Sequence, residues 1–315
     1  MNGRDQALAR ARAHARLRRG MYLLPSLFTV VNIAAGFFSI TETITAITAD
    51  VQTHLDWAAI SGDAQTHLDW AAIAILFAIP FDALDGRIAR MTNTASEFGK
   101  ELDSLADAIT FGVAPSLLAL IWGFHFLPES INHQFRLHLQ QAGAFICFLF
   151  LIGGVSRLAR FNISHDAQPR NPGRPDRKYF VGMPIPAAAG ILASTVHFFY
   201  GIPINDLWRW TAIPWLILVG LCGFLMVSTW RFWSGKEINF SRSHPFQLLF
   251  VLGPVFYVVF RYSNVSFFVI GLIYMFSGIW ARAAYSWSRR RRRRGPAGVS
   301  GPKAAAAEPD SVTPS

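Results

Sequence analysis

Four aspartates carry the chemistry this sequence is best equipped to do. Asp82 and Asp85 stand three residues apart, and Asp103 and Asp107 four apart, within DALDGRIARMTNTASEFGKELDSLAD (82–107). On a helix, either spacing places the pair on one face. The intervening RMTNTASEF is polar enough for a short turn, so two antiparallel helices would bring the acidic faces together. The stretch lies between AAIAILFAIPF and AITFGVAPSLLALIWGF, both strongly apolar. An aspartate at the centre of a membrane helix costs roughly 2.5–3.5 kcal/mol, and bare carboxylates repel one another. Divalent cations answer both problems, because four hard oxygen donors suit two Mg²⁺ or Mn²⁺ ions. Two such ions about 4 Å apart are the usual apparatus of phosphoryl displacement. Gly86 and Gly99, one beside each pair, let a phosphate approach the backbone, and Arg90 and Lys100 can balance its remaining charge. The plainer reading is a set of interfacial acids paired with Arg87, Arg90 and Lys100. Four acids with two glycines and Ala89-Arg90 at fixed spacing argue against it.

The elements that must hold these residues are membrane helices. The 315-residue chain is 52% hydrophobic and 15% charged, with mean hydropathy +0.31, which excludes an ordinary soluble domain. Apolar runs of about 20 residues match the hydrocarbon thickness of a bilayer. Eight candidates stand at roughly 21–43, 69–90, 104–126, 142–161, 179–200, 211–231, 245–262 and 264–287. The reading is an all-α polytopic membrane protein, with an integral domain over 21–287, a basic arm over 1–20 and a basic, disordered tail over 288–315. The segment after the arm is too long for a cleaved leader and lacks a small-residue cleavage site, so it reads as a retained first helix. With both termini cytoplasmic, 26 of the 29 Lys and Arg fall on the cytoplasmic side, leaving Arg136, Arg209 and Arg261 opposite. An even number of spans satisfies the positive-inside rule, and the setting is the cell's inner membrane.

Other features carry less. Cys147 and Cys222 sit in apolar spans, far from any metal-ligand pattern, and read as packing residues. QTHLDWAAI occurs at 52–60 and again at 65–73. Two copies make no solenoid, and the pair reads as a duplication lengthening an external loop, without function. The run Arg289–Arg294 suits anionic headgroups, although a topological anchor is the simpler account. Nucleic acid is not an expected partner, since the run is juxtamembrane and has no interleaved aromatics.

The acidic stretch resembles a known family. Asp82-x2-Asp85-Gly86-x2-Ala89-Arg90-x8-Gly99-x3-Asp103-x3-Asp107 matches the signature of the CDP-alcohol phosphatidyltransferases at each defined position. The resemblance implies a core of six membrane helices, a homodimer and an active site open to the cytoplasm. It implies that Asp82, Asp85, Asp103 and Asp107 hold two metals bridged by the CDP pyrophosphate. Asp107 would also be the catalytic base, with Gly86, Ala89, Arg90 and Gly99 lining the nucleotide site. LPSLFTVVNIAAGFFSI (24–40), LDSLADAITFGVAPS (102–116), RLARFN (157–162) and YFVGMPIPAAAG (179–190) resemble the phosphatidylserine synthase branch. Ser26 departs from the Asn usual there, while Thr29 and Asn32 remain as polar groups able to reach the nucleotide or to bond between helices. The spans at 245–262 and 264–287 fit that branch's extra helix pair without a distinctive motif.

That resemblance implies transfer of a phosphatidyl group from CDP-diacylglycerol to L-serine. Serine brings a carboxylate, for which a guanidinium fork is suited. Arg157 and Arg160, three residues apart at the end of a span, with Asn162 following, are the candidate pocket; topological anchoring is the alternative for the two arginines. The loop 163–178, rich in Pro, Gly and charge, could close over the site, with His165 and Asp176 facing solvent. Pro184 and Pro186 would open their helix near the pocket, and Pro80 would do the same ahead of Asp82. The same chemistry with choline, glycerol 3-phosphate or inositol phosphate is the nearest competitor. A phosphatase would need a nucleophile or His pair beside the acids. A proton- or cation-coupled transporter would carry midplane acids and repeated halves, and neither pattern is visible.

Overall fold

A computed structural model describes residues 27–49, 57–92, 97–166, 179–207, 209–233, 253–254 and 256–294. The described residues are almost wholly helical. It runs from α1 (Leu27–Ala49) to α2 (Trp57–Thr92) and α3 (Glu97–Asp107). From Asp107 the rod continues as a π-helical segment, Ala108–Val113, then α4 (Ala114–Leu120), then a second π-helical segment, Ile121–His125. Next come α5 (His133–Asp166), α6 (Ile185–Phe198), α7 (Ala212–Val227) and α8 (Ser263–Arg294). Two three-residue strands, β1 (Tyr179–Val181) and β2 (Arg231–Trp233), pair antiparallel with Phe180 opposite Phe232.

Among the described residues, six helical stretches are long and apolar enough to cross a membrane: Leu27–Ala49, Asp63–Asp85, Phe98–His125, His133–Ile163, Arg209–Val227 and Ser263–Trp280. The apolar α6 is shorter. The chain is a multi-pass membrane protein. Of the expected span at 245–262, only 253–254 and 256–262 fall within the described residues, and 256–261 are helical.

Small residues let these helices approach. Ala71, Ala72 and Ala78 of α2 and Ala188, Ala189 and Ala193 of α6 are buried, as suits helix contacts in a membrane, where close backbone packing replaces the hydrophobic drive. Gly153 of α5 faces Gly223 of α7, and a Cβ there would lie 3.0 Å from the Gly223 carbonyl. Cys147 and Cys222 are buried and free on those same two helices. Trp215 of α7 packs edge-on against Trp122, 4.8 Å between ring centres, and its indole N–H donates to the Ala119 carbonyl at 3.0 Å.

Four local outcomes differ from the expectations. Pro184 and Pro186 begin α6 rather than open it. Pro184 is its N-cap at φ −58° and ψ 141°, and Pro186 sits in the first turn, where the missing N–H costs no helical bond. Pro80 lies inside α2, which runs unbroken past it to Thr92. The QTHLDWAAI copies extend α2 rather than a loop, because the helix already begins at Trp57 within the first copy. At the other end, α8 continues through Arg294, so the arginine run expected in a disordered tail has helical backbone. Arginine is a good helix former, and elongating an existing helix avoids the cost of nucleation.

Candidate active site

Asp82 and Asp85 lie toward the C-terminal end of α2, and Asp103 and Asp107 occupy α3. The two helices bring three of these carboxylates together. One carboxylate oxygen from each of Asp82, Asp103 and Asp107 falls within 4.8 Å of the others. Two oxygens on opposite sides of a small divalent cation stand about 4–5 Å apart, so a single ion can reach all three. Asp107 is buried, while Asp82 and Asp103 are half-buried. Three hard, partly desolvated oxygen donors with no sulfur or imidazole among them fit Mg²⁺ or Mn²⁺ better than a softer metal.

Asp85 is turned to one side. It is buried and accepts a hydrogen bond from the hydroxyl of Thr29 on α1. Asn32, one turn further along α1, donates from Nδ2 to Asp107 Oδ1 at 3.3 Å. The Asn32 backbone carbonyl in turn accepts from the Thr110 hydroxyl at 2.9 Å. Thr110 belongs to the π-helical segment directly after Asp107, and such widened turns re-aim side chains and recur at functional sites. Close approach at this crossing depends on Gly36, where a Cβ would fall 2.8 Å from Thr110 Cα. Thus α1 holds both acidic helices, through Thr29 to Asp85 and through Asn32 to Asp107. The Asn32 Oδ1 atom is buried with no hydrogen-bond partner among the described residues.

Of the expected nucleotide residues, Gly86, Ala89 and Arg90 fall on the last turns of α2, and Gly99 lies near the start of α3. Lys100 and Arg87 are exposed.

The arginines expected in the acceptor pocket separate into two roles. Arg160 donates to the carbonyls of Val227 at 3.3 Å and Met226 at 3.4 Å, the last carbonyls of α7. A cation at a helix C-terminus satisfies orphan acceptors and the helix dipole, so Arg160 is committed to the fold. Arg157 instead has a buried Nε with no hydrogen-bond partner among the described residues. Asn162 donates to Ser104 Oγ at 3.0 Å, which joins α5 to α3 at the residue after Asp103. The loop 167–178, including Asp176, lies outside the described residues, as does the side chain of His165. Ser104 was not among the expected site residues, although it is readable from the sequence as the polar residue between two acids.

The model of the CDP-alcohol phosphatidyltransferase family matches residues 22–213. The chain belongs to this family. The matched region spans α1 to the start of α7 and includes all four aspartates, Asn32, Arg157 and Asn162. The chain is 35% identical over 242 residues to a protein of Helicobacter pylori named CDP-diacylglycerol–serine O-phosphatidyltransferase, covering 75% of this chain and 82% of that protein. A Bacillus subtilis protein of the same name is 35% identical over 164 residues, covering 50% of this chain and 73% of its own. One from Saccharomyces cerevisiae is 36% identical over 123 residues, covering 39% of this chain and 40% of its own. The match to the Helicobacter protein is longer than the family-matched segment, so it takes in chain beyond the family core.

Proposed function

We propose that the protein transfers the phosphatidyl group of CDP-diacylglycerol to L-serine, giving phosphatidylserine and CMP. The single observation that carries this is the convergence of Asp82, Asp103 and Asp107 within 4.8 Å at one end of the bundle, in a chain of this family. The choice of serine is supported by the names of the relatives and by Arg157, a guanidinium whose Nε is buried without a hydrogen-bond partner among the described residues.

Asp82, Asp103 and Asp107 would hold a divalent cation, Mg²⁺ or Mn²⁺, with Asp85 available to a second. Bound there, such ions supply charge neutralisation to the pyrophosphate and to the departing CMP. Asp107 accepts the proton of the serine hydroxyl. As that proton leaves, the serine oxygen forms its bond to the diacylglycerol-linked phosphorus, and the bond from phosphorus to the CMP oxygen breaks with its electron pair. Asn32 fixes the Asp107 carboxylate through Nδ2, and Thr29 fixes Asp85. Gly86, Ala89, Arg90 and Gly99 would line the nucleotide site. Arg157 receives the serine carboxylate, and Asn162 steadies α3 through Ser104. Acyl chains remain in the bilayer while the headgroup reacts at its edge.

The reading also places the site on the cytoplasmic side of the inner membrane, with both termini there. Arg87, Lys100, Arg157 and Arg160 stand at the site end of the helices, while Arg136, Arg209 and Arg261 stand at the other. A homodimer is part of the same reading. The test is CMP release from CDP-diacylglycerol by purified protein, screened over L-serine, glycerol 3-phosphate, inositol phosphate and choline, with and without Mg²⁺ or Mn²⁺. Release driven by L-serine alone is expected. Release driven by choline and not by serine would overturn the choice of acceptor.

A further inference from the structure

At the end of the bundle remote from the aspartates, three helices bring together a carboxylate, an imidazole and a hydroxyl. Asp69 belongs to α2, His197 to α6 and Ser263 to α8. They stand 128 and 66 positions apart in the chain, so only the fold unites them. His197 Nδ1 lies 2.6 Å from Asp69 Oδ1, and His197 Nε2 lies 3.0 Å from Ser263 Oγ. With a carboxylate against it, Nδ1 carries the ring proton and donates it to Asp69. Nε2 is then the basic nitrogen, accepting from the Ser263 hydroxyl. Each group therefore holds the place it has around an activated serine: nucleophile, base, and the carboxylate that orients the base.

Hydrogen bonds alone would serve to tie the helices, but two features go beyond a tie. The first is access. His197 is only 7% exposed, whereas Ser263 is half-buried and its neighbour Tyr262 is exposed. The second is the backbone around the hydroxyl. Tyr262 interrupts the helical run between 256–261 and α8, and the Ser266 N–H returns to the Tyr262 carbonyl at 2.9 Å. Ser263 and Asn264 thus form the first turn of α8, where N–H groups have no acceptor within their own helix. Such donors beside a nucleophile favour the negative charge that develops on an acyl oxygen under attack. Asp69 lies about 20 Å along α2 from Asp82, at 1.5 Å per residue, so the acidic cluster takes no part.

We propose that Ser263, His197 and Asp69 form a second, esterase-type site whose substrate is a carboxylic ester of an acyl chain. The exposed Tyr262 and Val265 on either side of Ser263 suit an apolar chain over a charged one. Ser263 Oγ bonds to the ester carbonyl carbon as its proton passes to His197 Nε2. The bond from that carbon to the alcohol oxygen then breaks, and the alcohol leaves with the proton. Water, giving its proton to the same nitrogen, splits the acyl-serine into a carboxylic acid and the restored hydroxyl. Asp69 is a positioning residue that keeps the ring in the required tautomer.

The test treats the purified full-length protein in detergent with a fluorophosphonate, which reacts covalently with activated serines, and maps the adduct by mass spectrometry. An adduct on Ser263 is expected. It should be absent from Ser263→Ala, whose CMP release stays at the wild-type level, and should form at least about 10²-fold more slowly in His197→Gln. Asp69→Asn should also slow it, and Asp69→Glu should recover part of the rate, a split that a purely structural contact would not give. Hydrolysis of a short-chain p-nitrophenyl ester should follow the same order. Wild type without an adduct on Ser263, labelling equally fast in His197→Gln, or ester hydrolysis that persists in Ser263→Ala overturns the site. Should His197→Gln fail to fold, Asp69→Asn against Asp69→Glu decides, and equal labelling in both and in wild type overturns it.

Discussion

At the scale of single residues, the account turns on how the four carboxylates divide their work. Their spacing shows in the sequence that they share a site, but not that Asp85 is drawn aside by Thr29 while Asp82, Asp103 and Asp107 converge. That division depends on α1, and no spacing rule relates Thr29 to a residue 56 positions away. The same holds for Asn32, whose amide reaches Asp107 across 75 positions. Asp107 combines burial, an orienting amide from Asn32 and two neighbouring carboxylates. Asp107→Asn should lower CMP release by roughly 10²–10⁴-fold, the range of general-base loss, while the protein still extracts and melts like wild type. Near-full turnover in that variant would remove Asp107 from the role of base.

At the scale of elements, position is set by features a hydropathy profile does not register. The π-helical segment Ala108–Val113 looks in sequence like more apolar helix, and its widened turn is visible only through Thr110 reaching Asn32. The glycine opposite is its sequence trace. Gly36→Val should destabilise the protein by about 1–3 kcal/mol, the usual cost of overpacking. It should also depress CMP release, because the clash falls on the backbone beside Asp107. Thermal melting in detergent alongside turnover checks both. The QTHLDWAAI repeat was legible as a duplication and illegible as structure. Its second copy supplies His67, whose Nδ1 lies 2.6 Å from Glu42 of α1, and Asp69, which pairs with His197 of α6 at 2.6 Å. His197 also meets Ser263 at the start of α8, at 3.0 Å. Around this chain Gly201, at φ +71°, lets the turn after α6 settle on Gln65 and Asp69. These contacts tie α1, α2, α6 and α8 together about 20 Å along α2 from Asp82, at 1.5 Å per residue. His197→Ala should therefore lower the melting temperature, with an energetic cost on the order of 1 kcal/mol for the lost interhelical bonds, and leave KM for both substrates unchanged. A changed KM would show that the far end of the bundle communicates with the site.

At the scale of the whole molecule, the charge distribution and the length of the apolar runs made a polytopic helical protein readable from sequence. Exact boundaries were not readable where prolines start a helix, as at Pro184, or where a helix outruns its apolar stretch, as α5 and α8 do. The polarity of the bundle, with the clustered carboxylates and most cations at one end and the histidine ties at the other, predicts that both termini face the compartment that supplies the water-soluble acceptor. Tags on the two ends of the full chain should both resist protease added outside intact cells and both be cut after lysis. Digestion of one tag alone in intact cells would mean an odd number of crossings. The central claim remains the reaction, and its most direct test follows the acceptor atoms. Purified protein is given CDP-diacylglycerol, labelled L-serine and Mn²⁺ or Mg²⁺, and lipid-borne label and CMP are quantified together. Equal amounts of labelled phosphatidylserine and CMP, both abolished by a chelator and restored by added metal, are the result the account predicts. CMP released without label entering lipid, or transfer that persists after the chelator, would contradict it.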